Sequence, residues 1–294
     1  PPMTTLMSVP NVSEGRDPAT LAAIGRAFAA SGSVRLLDLH ADPDHHRAVF
    51  TLAGPPGQVA PSLLEGVREA IGSIDLRTPR GLHPHVGAVD VVPLVHLHQG
   101  LRGAATVEAL LTAELLASEL GLPVFLYGAL AGGRTRAEIR RGGPPELRRR
   151  IAAGELTPDF GPSRPHPTAG AVLVGARPPL VAFNLELAPP ADGDTARRIA
   201  AAIREGGPEG LPGVRAIGLA LAAARGRAQV SCNIEDPTAV PLAAVVAAVA
   251  RHAPVAAAEL VGLAPRIAFE SFPEDVPIPG FDPDRHIIEN ALAA

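Results

Sequence analysis

The stretch LVAFNLEL at residues 180–187 opens a run of alternating strand and helix patterns in the second half of the chain. After it come a helical pattern at 194–205, strands near 214–220 and at 227–234, a helix at 238–251 and an apolar segment at 256–263. Short apolar runs that alternate with longer alanine- and leucine-rich runs are typical of strands and helices that share one core. This order predicts a βαββαβ unit.

The first half of the chain follows a similar plan. Its predicted strands are 3–10, 34–40, 47–53, 87–97 and 123–127, and its predicted helices are 18–30, 59–74 and 106–119. Asp17 and Pro18 suit the N-cap and the first helical position of 18–30. Pro93 predicts a break in the strand 87–97, with part of that strand at an edge or in a bulge.

The predicted apolar strands 171–175 and 180–187 are separated by the turn-forming residues 176–179. This split predicts two subdomains, 1–177 and 178–294. Two such units give an α+β fold of the α/β sandwich type, and we expect their sheets to face each other across a ligand cleft.

Composition excludes several classes of function. All 26 basic residues of the 294 are arginine, so lysine-based Schiff-base and P-loop chemistry is excluded. A net charge of -4 argues against nucleic-acid binding through bulk charge. The apolar runs are too short to span a membrane, no signal-peptide pattern is present, and Cys232 is the single cysteine. A cytoplasmic protein that binds small molecules is expected.

Seven of the ten histidines fall between positions 40 and 98: His40, His45, His46, His83, His85, His96 and His98. With Asp38, Asp42 and Asp44 they could form a metal site, and a metal-dependent hydrolase is one interpretation. His96 and His98 are expected to be ordinary surface residues. His83 lies between Gly81 and Gly87, and the following proline restrains its backbone, so the pattern favours a catalytic and a structural role about equally.

Two further segments could receive an anion. Backbone amides in the glycine- and proline-rich loops 159–163 and 168–171 could bind a carboxylate or a heterocycle. Arg148, Arg149 and Arg150 are better explained as the solvated face of a helix.

Ten segments, in order, resemble the formiminotransferase domain of glutamate formimidoyltransferases. They are VPNVSEGR (9–16), LD (37–38) with DPDHHR (42–47), FTLAGPP (50–56), IDL (74–76), HP (83–84) with GAVDV (87–91), PVFLYG (123–128), PDFGP (158–162), AFN (182–184), QVS (229–231) and ELVGL (259–263). The resemblance implies N- and C-terminal formiminotransferase subdomains whose sheets flank a folate tunnel, and a homodimer. The implied reaction moves a formimino group from N-formimino-L-glutamate to N5 of tetrahydrofolate, the co-substrate, in histidine degradation.

The resemblance also implies roles for individual residues. His83 matches the family's catalytic histidine, which would act as a general acid/base, and Asp38 or Asp42 could orient it or stabilise an amidinium. The segments implied to contact folate contain Asp159, Phe160, Gly161, Pro162, Ser163, Gly170, Ala171 and Gly175. The residues expected at the substrates are Asn11, Asp42, His46, Arg47, His85 and Tyr127. No metal is required.

The chain departs from the family around His83. Pro79, Leu82 and His85 stand where family members commonly carry histidine, glutamate and arginine, and His46 replaces an asparagine. These changes leave open a divergent folate-binding paralogue that uses another one-carbon donor or has no transferase activity.

Overall fold

The computed structural model describes residues 4–78, 85–221 and 227–294. It divides into two compact units, Pro1–Pro178 and Pro179–Ala294, and each is described by itself. Both combine a sheet with helices, which confirms the predicted α+β fold of two subdomains.

Unit 1 is built on a mixed sheet. Its strands are β1 (Leu6–Ser8), β2 (Asn11–Val12), β3 (Arg35–Asp42), β4 (Arg47–Gly54), β5 (Val89–His96), β6 (Val124–Leu126) and β7 (Val172–Arg177). Its helices are α1 (Pro18–Phe28), α2 (Val59–Ser73), α3 (Arg102–Leu120), α4 (Arg136–Arg140) and α5 (Gly143–Ala152), with 3-10 turns at Gln99–Leu101 and Gly128–Ala131. As predicted, α1 begins after Asp17, whose carboxylate accepts a hydrogen bond from Ala19 N at 3.0 Å.

Unit 2 contains the predicted βαββαβ unit followed by a short helical tail. Its elements are β8 (Val181–Leu187), α6 (Gly193–Ile203), β9 (Val214–Ala220), β10 (Ala228–Ile234), α7 (Leu242–Ala250), β11 (Val255–Val261), a 3-10 turn (Arg266–Phe269), α8 (Pro283–His286) and α9 (Ile288–Ala293). Its four strands are antiparallel in the order β11-β8-β10-β9.

The sheet of unit 1 has the order β3-β4-(β1, β2)-β5-β7-β6, with β1 and β2 acting as one interrupted strand. The predicted break at Pro93 is wrong, because β5 runs through this residue at the centre of the sheet. The interruption lies instead in the neighbouring strand of the sheet, at residues 9 and 10 between β1 and β2. There the carbonyl of Pro93 accepts hydrogen bonds from Ser8 Oγ at 2.8 Å and Val9 N at 3.3 Å. Proline has no backbone N–H to donate, and here it lies where the partner strand is irregular.

Each sheet has one face that is covered by helices of its own unit. In unit 1, α1, α2 and α3 pack on a face that includes Phe50, Leu94 and Val174. In unit 2, α6 and α7 pack on the face that carries Phe183 and Val230. We call the other face of each sheet its second face; in unit 1, α4 and α5 pack on the part of it beside β6 and β7. Among the described residues, no helix is both long and apolar enough to cross a membrane.

Candidate active site

A small pocket lies in unit 1, where β2, the β3–β4 turn and the start of β5 meet. We call it the histidine pocket. Its lining residues are Asn11, Val12, Ser13, His45, His46, Arg47, His85 and Asp90. Four of them, Asn11, His46, Arg47 and His85, are among the residues expected at the substrates. The structure therefore brings together side chains that are up to 79 positions apart in the sequence.

The segment after β2 packs closely on the β3–β4 turn, and a glycine makes this possible. A Cβ at Gly15 would lie 2.3 Å from the carbonyl oxygen of Asp42 and 2.6 Å from the amide of Arg47. Gly15 N also lies 3.1 Å from His46 Nδ1, to which it donates. His46 itself has a φ of 50°, a left-handed conformation that aims its ring back toward this segment. Backbone geometry thus fixes the orientation of one pocket histidine.

His45 and Asp42 form a hydrogen-bonded pair within the β3–β4 turn. His45 Nδ1 contacts one oxygen of the Asp42 carboxylate, and the other oxygen accepts a hydrogen bond from His45 N at 2.9 Å. Burial raises the pKa of Asp42, but the hydrogen bonds from His45 and the charges of His45 and Arg47 outweigh it, so the pKa lies below its usual range. An ionised carboxylate on one ring nitrogen fixes the tautomer and the orientation of a histidine. The pair is thus suited to acid–base chemistry.

Asp90 anchors the backbone on the β5 side of the pocket. It is 2% exposed, and its Oδ1 accepts hydrogen bonds from Val86 N at 2.6 Å and Gly87 N at 3.2 Å. Its Oδ2 forms a close ion pair with Arg140 of α4. Ser13 Oγ donates to the carbonyl oxygen of Gly87 at 2.7 Å, so the segment after His85 is held from two sides.

Strand register places further predicted residues on the second face of unit 1. Asp38 pairs with Thr51, and Asp42 pairs with Arg47. Paired residues share a face of the sheet. Asn11 pairs with Val49, two residues from each of Arg47 and Thr51, so it lies on this face too. Asp38 is thus on the same side as the pocket, although it is not one of the residues that line it.

The residues expected to contact folate lie in three places rather than one. Asp159–Ser163 runs beside β6, where Asp159 Oδ2 accepts from Leu126 N at 2.7 Å, Phe160 O accepts from Val124 N at 2.9 Å, and Pro162 and Ser163 follow Gly161. Gly170 and Ala171 adjoin the pocket, because Ala171 N donates to Val86 O at 3.0 Å. Gly175 lies in β7 under the ring of Tyr127. The folate role of these residues stays a prediction.

Three residues of the predicted catalytic segment, Pro79, Leu82 and His83, lie outside the described residues.

The prediction that His96 is a surface residue is wrong. His96 ends β5 and is 5% exposed, and burial lowers the pKa of its imidazole. Arg150 is also buried, and its Nη1 donates to the carbonyl oxygens of Glu138 and Ile139. In contrast, Arg148 and Arg149 are solvated, as expected.

No three histidine, cysteine, aspartate or glutamate side chains in the described ranges converge to hold a metal ion. His40 in β3 and His96 at the far end of β5 are separated by β4 and by β1. His40 and His96 therefore do not join His45, His46 and His85 in the histidine pocket, and nothing in the described part of the chain favours the hydrolase interpretation.

Sequence reasoning missed His45, Ser13 and Asp90 as pocket residues. The sequence contained a local indication for His45, because it follows Asp42 by three positions in a predicted turn, and side chains at this spacing in a turn are often in contact. Asp90 is paired with Arg140, fifty positions away, so no pattern of neighbouring residues indicates that it anchors the pocket wall.

Comparisons with known proteins agree with this division of the chain. A profile described as "Formiminotransferase domain, N-terminal subdomain" matches residues 5–177. A second, described as "Formiminotransferase domain", matches residues 182–272.

Several curated proteins are similar to the chain. A formimidoyltransferase-cyclodeaminase of Gallus gallus is 37% identical over 273 residues, which are 88% of this chain and 50% of that protein. A glutamate formimidoyltransferase of Streptococcus pyogenes serotype M1 is 34% identical over 294 residues, covering 97% of both chains. One of Thermoplasma acidophilum is 33% identical over 207 residues, 69% of this chain and 68% of that protein. The chain thus spans about half the length of the first of these relatives and nearly the full length of the second.

Proposed function

The chain belongs to the formiminotransferase domain family, and on that premise we propose that it moves a formimino group from N-formimino-L-glutamate to N5 of tetrahydrofolate. Histidine degradation is the pathway in which this reaction has its place, and we assign the enzyme to the cytoplasm as a homodimer. The relatives with matching names support the reaction.

The observation that carries the proposal is the histidine pocket. It combines three imidazoles and a guanidinium with amide and hydroxyl groups in a small volume. Guanidinium groups bind carboxylates through paired hydrogen bonds, and imidazoles exchange protons near neutral pH. A pocket of this kind suits a small substrate that carries both carboxylates and a nitrogen group that changes its protonation.

Formimino transfer requires two proton movements. The acceptor amine loses a proton as it attacks the formimino carbon, and the amine nitrogen of glutamate gains one as it leaves. One imidazole can make both transfers. We assign this role to His83, which matches the catalytic histidine of the family and precedes the pocket residue His85 by two positions.

The Asp42–His45 pair is assigned a supporting role. Its carboxylate keeps the ring of His45 in one orientation at the pocket wall. With Nδ1 donating to Asp42, the other ring nitrogen of the neutral imidazole accepts a hydrogen bond from the cationic formimino group. Arg47, beside it, is the natural partner for a carboxylate of the donor.

The test is a direct assay of 5-formimino-tetrahydrofolate formation from the two proposed substrates. His83→Ala should lower kcat by about 100-fold or more, since general acid–base groups contribute on that scale. His252→Ala is the matched control, because His252 lies in unit 2, where its side chain is partly exposed and contacts Glu209. Wild-type protein without turnover would overturn the reaction, and an unchanged rate in His83→Ala would overturn the assignment of that residue.

A second candidate donor follows from His85. This histidine lines the pocket at the position where family members commonly carry an arginine. A neutral imidazole binds a carboxylate less strongly than a guanidinium does. A one-carbon donor without the glutamate carboxylates should therefore be assayed beside N-formimino-L-glutamate, and a higher kcat/KM for that donor would replace the proposed one.

A further inference from the structure

Tyr127, Arg136 and Arg177 meet at the carboxyl ends of the parallel strands β6 and β7. Arg177 is the last residue of β7, and Tyr127 directly follows β6. The guanidinium carbon of Arg136, at the start of α4, lies 5.6 Å from the centre of the Tyr127 ring. A Cβ at Gly175 would be 2.7 Å from that ring, so a glycine is required to let the tyrosine lie across β7. We call these three residues the arginine–tyrosine cluster.

The cluster carries positive charge that the described residues do not balance. The neighbouring Arg134 and Arg140 are paired with Asp159 and Asp90. Within residues 4–78, 85–221 and 227–294, neither Arg136 nor Arg177 has an ion-pair partner. Burial lowers the pKa of Arg177 to about 10; the Tyr127 phenol opposes this shift and the charge of Arg136 adds to it. Arg177 is still cationic at neutral pH, so two like charges lie near each other without a carboxylate.

Hydrogen-bonding groups in the cluster are also incompletely satisfied: the Tyr127 hydroxyl lies close enough to Arg177 to raise the pKa of that guanidinium, but the two form no hydrogen bond of normal geometry. Tyr127 is 7% exposed, and its hydroxyl is buried without a hydrogen bond of normal geometry to any residue that the structure describes. The same holds for Nε of Arg177, whose Nη1 donates to the carbonyl oxygen of Pro178 at 3.1 Å. Buried donors without acceptors are costly and rare in folded proteins. An anion that accepts from the phenol and the guanidinium would satisfy both groups.

The cluster shares a sheet face with the histidine pocket but lies far along it. Val91 pairs with both Asn11 and Leu173, and Val95 pairs with Arg177, so all five residues lie on the second face. Along the strand direction, Asn11 is paired with Val91 and Arg177 with Val95, four residues further on. At 3.3 Å per residue this offset is about 13 Å. A compact donor such as formiminoglutamate does not span this distance when its reacting carbon is in the pocket. A folate does, because its glutamate carboxylates lie at the opposite end of the molecule from its N5.

We propose that the arginine–tyrosine cluster is a carboxylate-binding site that holds the glutamate end of the folate substrate. The carboxylate accepts hydrogen bonds from Arg177 and from the Tyr127 hydroxyl, and Arg136 adds a second positive charge. The identity of the ligand rests on the proposed function, whereas the preference for a carboxylate rests on the cluster alone.

Isothermal titration with folic acid and with pteroic acid, which has the same ring system without the glutamate, tests the site without turnover. Wild-type protein should bind folic acid more tightly than pteroic acid. Arg177→Gln should weaken folic acid binding on the order of 10- to 100-fold and leave pteroic acid binding unchanged, since hydrogen bonds to charged groups contribute on that scale. Tyr127→Phe should reduce the same preference to a smaller extent. Arg148→Gln, an exposed arginine of α5, is the matched control and should change neither affinity.

Equal binding of the two compounds by wild-type protein would overturn the proposal. So would an Arg177→Gln variant that keeps folic acid affinity but shows a raised KM for formiminoglutamate, because the site would then belong to the donor. A wild-type protein that discriminates the two compounds but transfers no formimino group would contradict the proposed reaction and leave the carboxylate site standing.

Discussion

The two units share one plan for their four principal strands, but they differ in the chemistry of one turn. In unit 2 the order is β11-β8-β10-β9, and in unit 1 the equivalent strands follow as β5-β1-β4-β3. In both, helices of the same unit pack on one face, three in unit 1 and two in unit 2. The fold alone therefore does not make a site, since the same frame occurs twice.

The difference lies in the turn that joins the edge strand to its neighbour, β3 to β4 in unit 1 and β9 to β10 in unit 2. In unit 1 the β3–β4 turn carries Asp42, His45 and His46, which line or support the histidine pocket. In unit 2 the corresponding sequence, 221–227, is LAAARGR, without histidine or carboxylate. Unit 1 also extends beyond β5 with β7 and β6, which carry the arginine–tyrosine cluster. Polar turns and an added pair of strands thus distinguish the unit to which we assign the chemistry.

The largest effect on stability is expected from breaking the ion pair of Asp90. Arg140→Met would leave a carboxylate that is 3% exposed without its cation, which should lower the free energy of unfolding by about 3 kcal/mol. Arg227→Met in unit 2 breaks an ion pair whose arginine is 56% exposed and should cost less than about 1 kcal/mol. Urea unfolding of both variants measures the contrast, and equal losses would show that Asp90 does not need this partner.

A smaller loss is expected at Glu108, which joins α3 to α2. The side chain of Glu108 is buried and accepts hydrogen bonds from Gly57 N and Ala60 N, both at 2.7 Å. It thereby caps the start of α2, which has no cap from its own N-terminal residue. Glu108→Ala should cost about 1 to 2 kcal/mol, whereas Glu114→Ala, at an exposed position of the same helix, should cost little. Comparable urea midpoints for the two variants would refute the capping role.

The sequence predicts those parts of the molecule that local patterns determine. The order of elements in unit 2 follows from alternating apolar residues, because β8 and β10 bury every second side chain. The start of α1 follows from Asp17 and Pro18, which act on the adjacent backbone. The grouping of Asn11, His46, Arg47 and His85 came from the family resemblance, since no local pattern relates these positions.

Features that depend on distant partners could not be predicted. The sequence predicts a strand break at Pro93, but residues 9 and 10, in the interruption between β1 and β2, accommodate this proline. The sequence predicts His96 to be a surface residue at a strand end, but it is buried where β5 pairs with β1. In each case the deciding neighbour lies more than eighty positions away, so a window of adjacent residues contains no information about it.

The smallest effect concerns the pH dependence of the turn that distinguishes unit 1. Because the pKa of Asp42 is lower in the folded state than its ordinary value of 3.8, its ionised form stabilises the fold at pH values above 3.8. That contribution is lost as the pH falls through the lowered pKa. Asp42→Asn should therefore be less stable than wild type at about pH 7, and the difference should be smaller at a second pH below 3.8. Asp275→Asn, at an exposed position in unit 2, should show no such pH-dependent difference. Urea midpoints of Asp42→Asn and wild type that differ equally at both pH values would contradict this prediction. The stabilising effect of Asp42 would then not come from its ionisation beside His45, and the turn would support the pocket by its shape rather than by its charge.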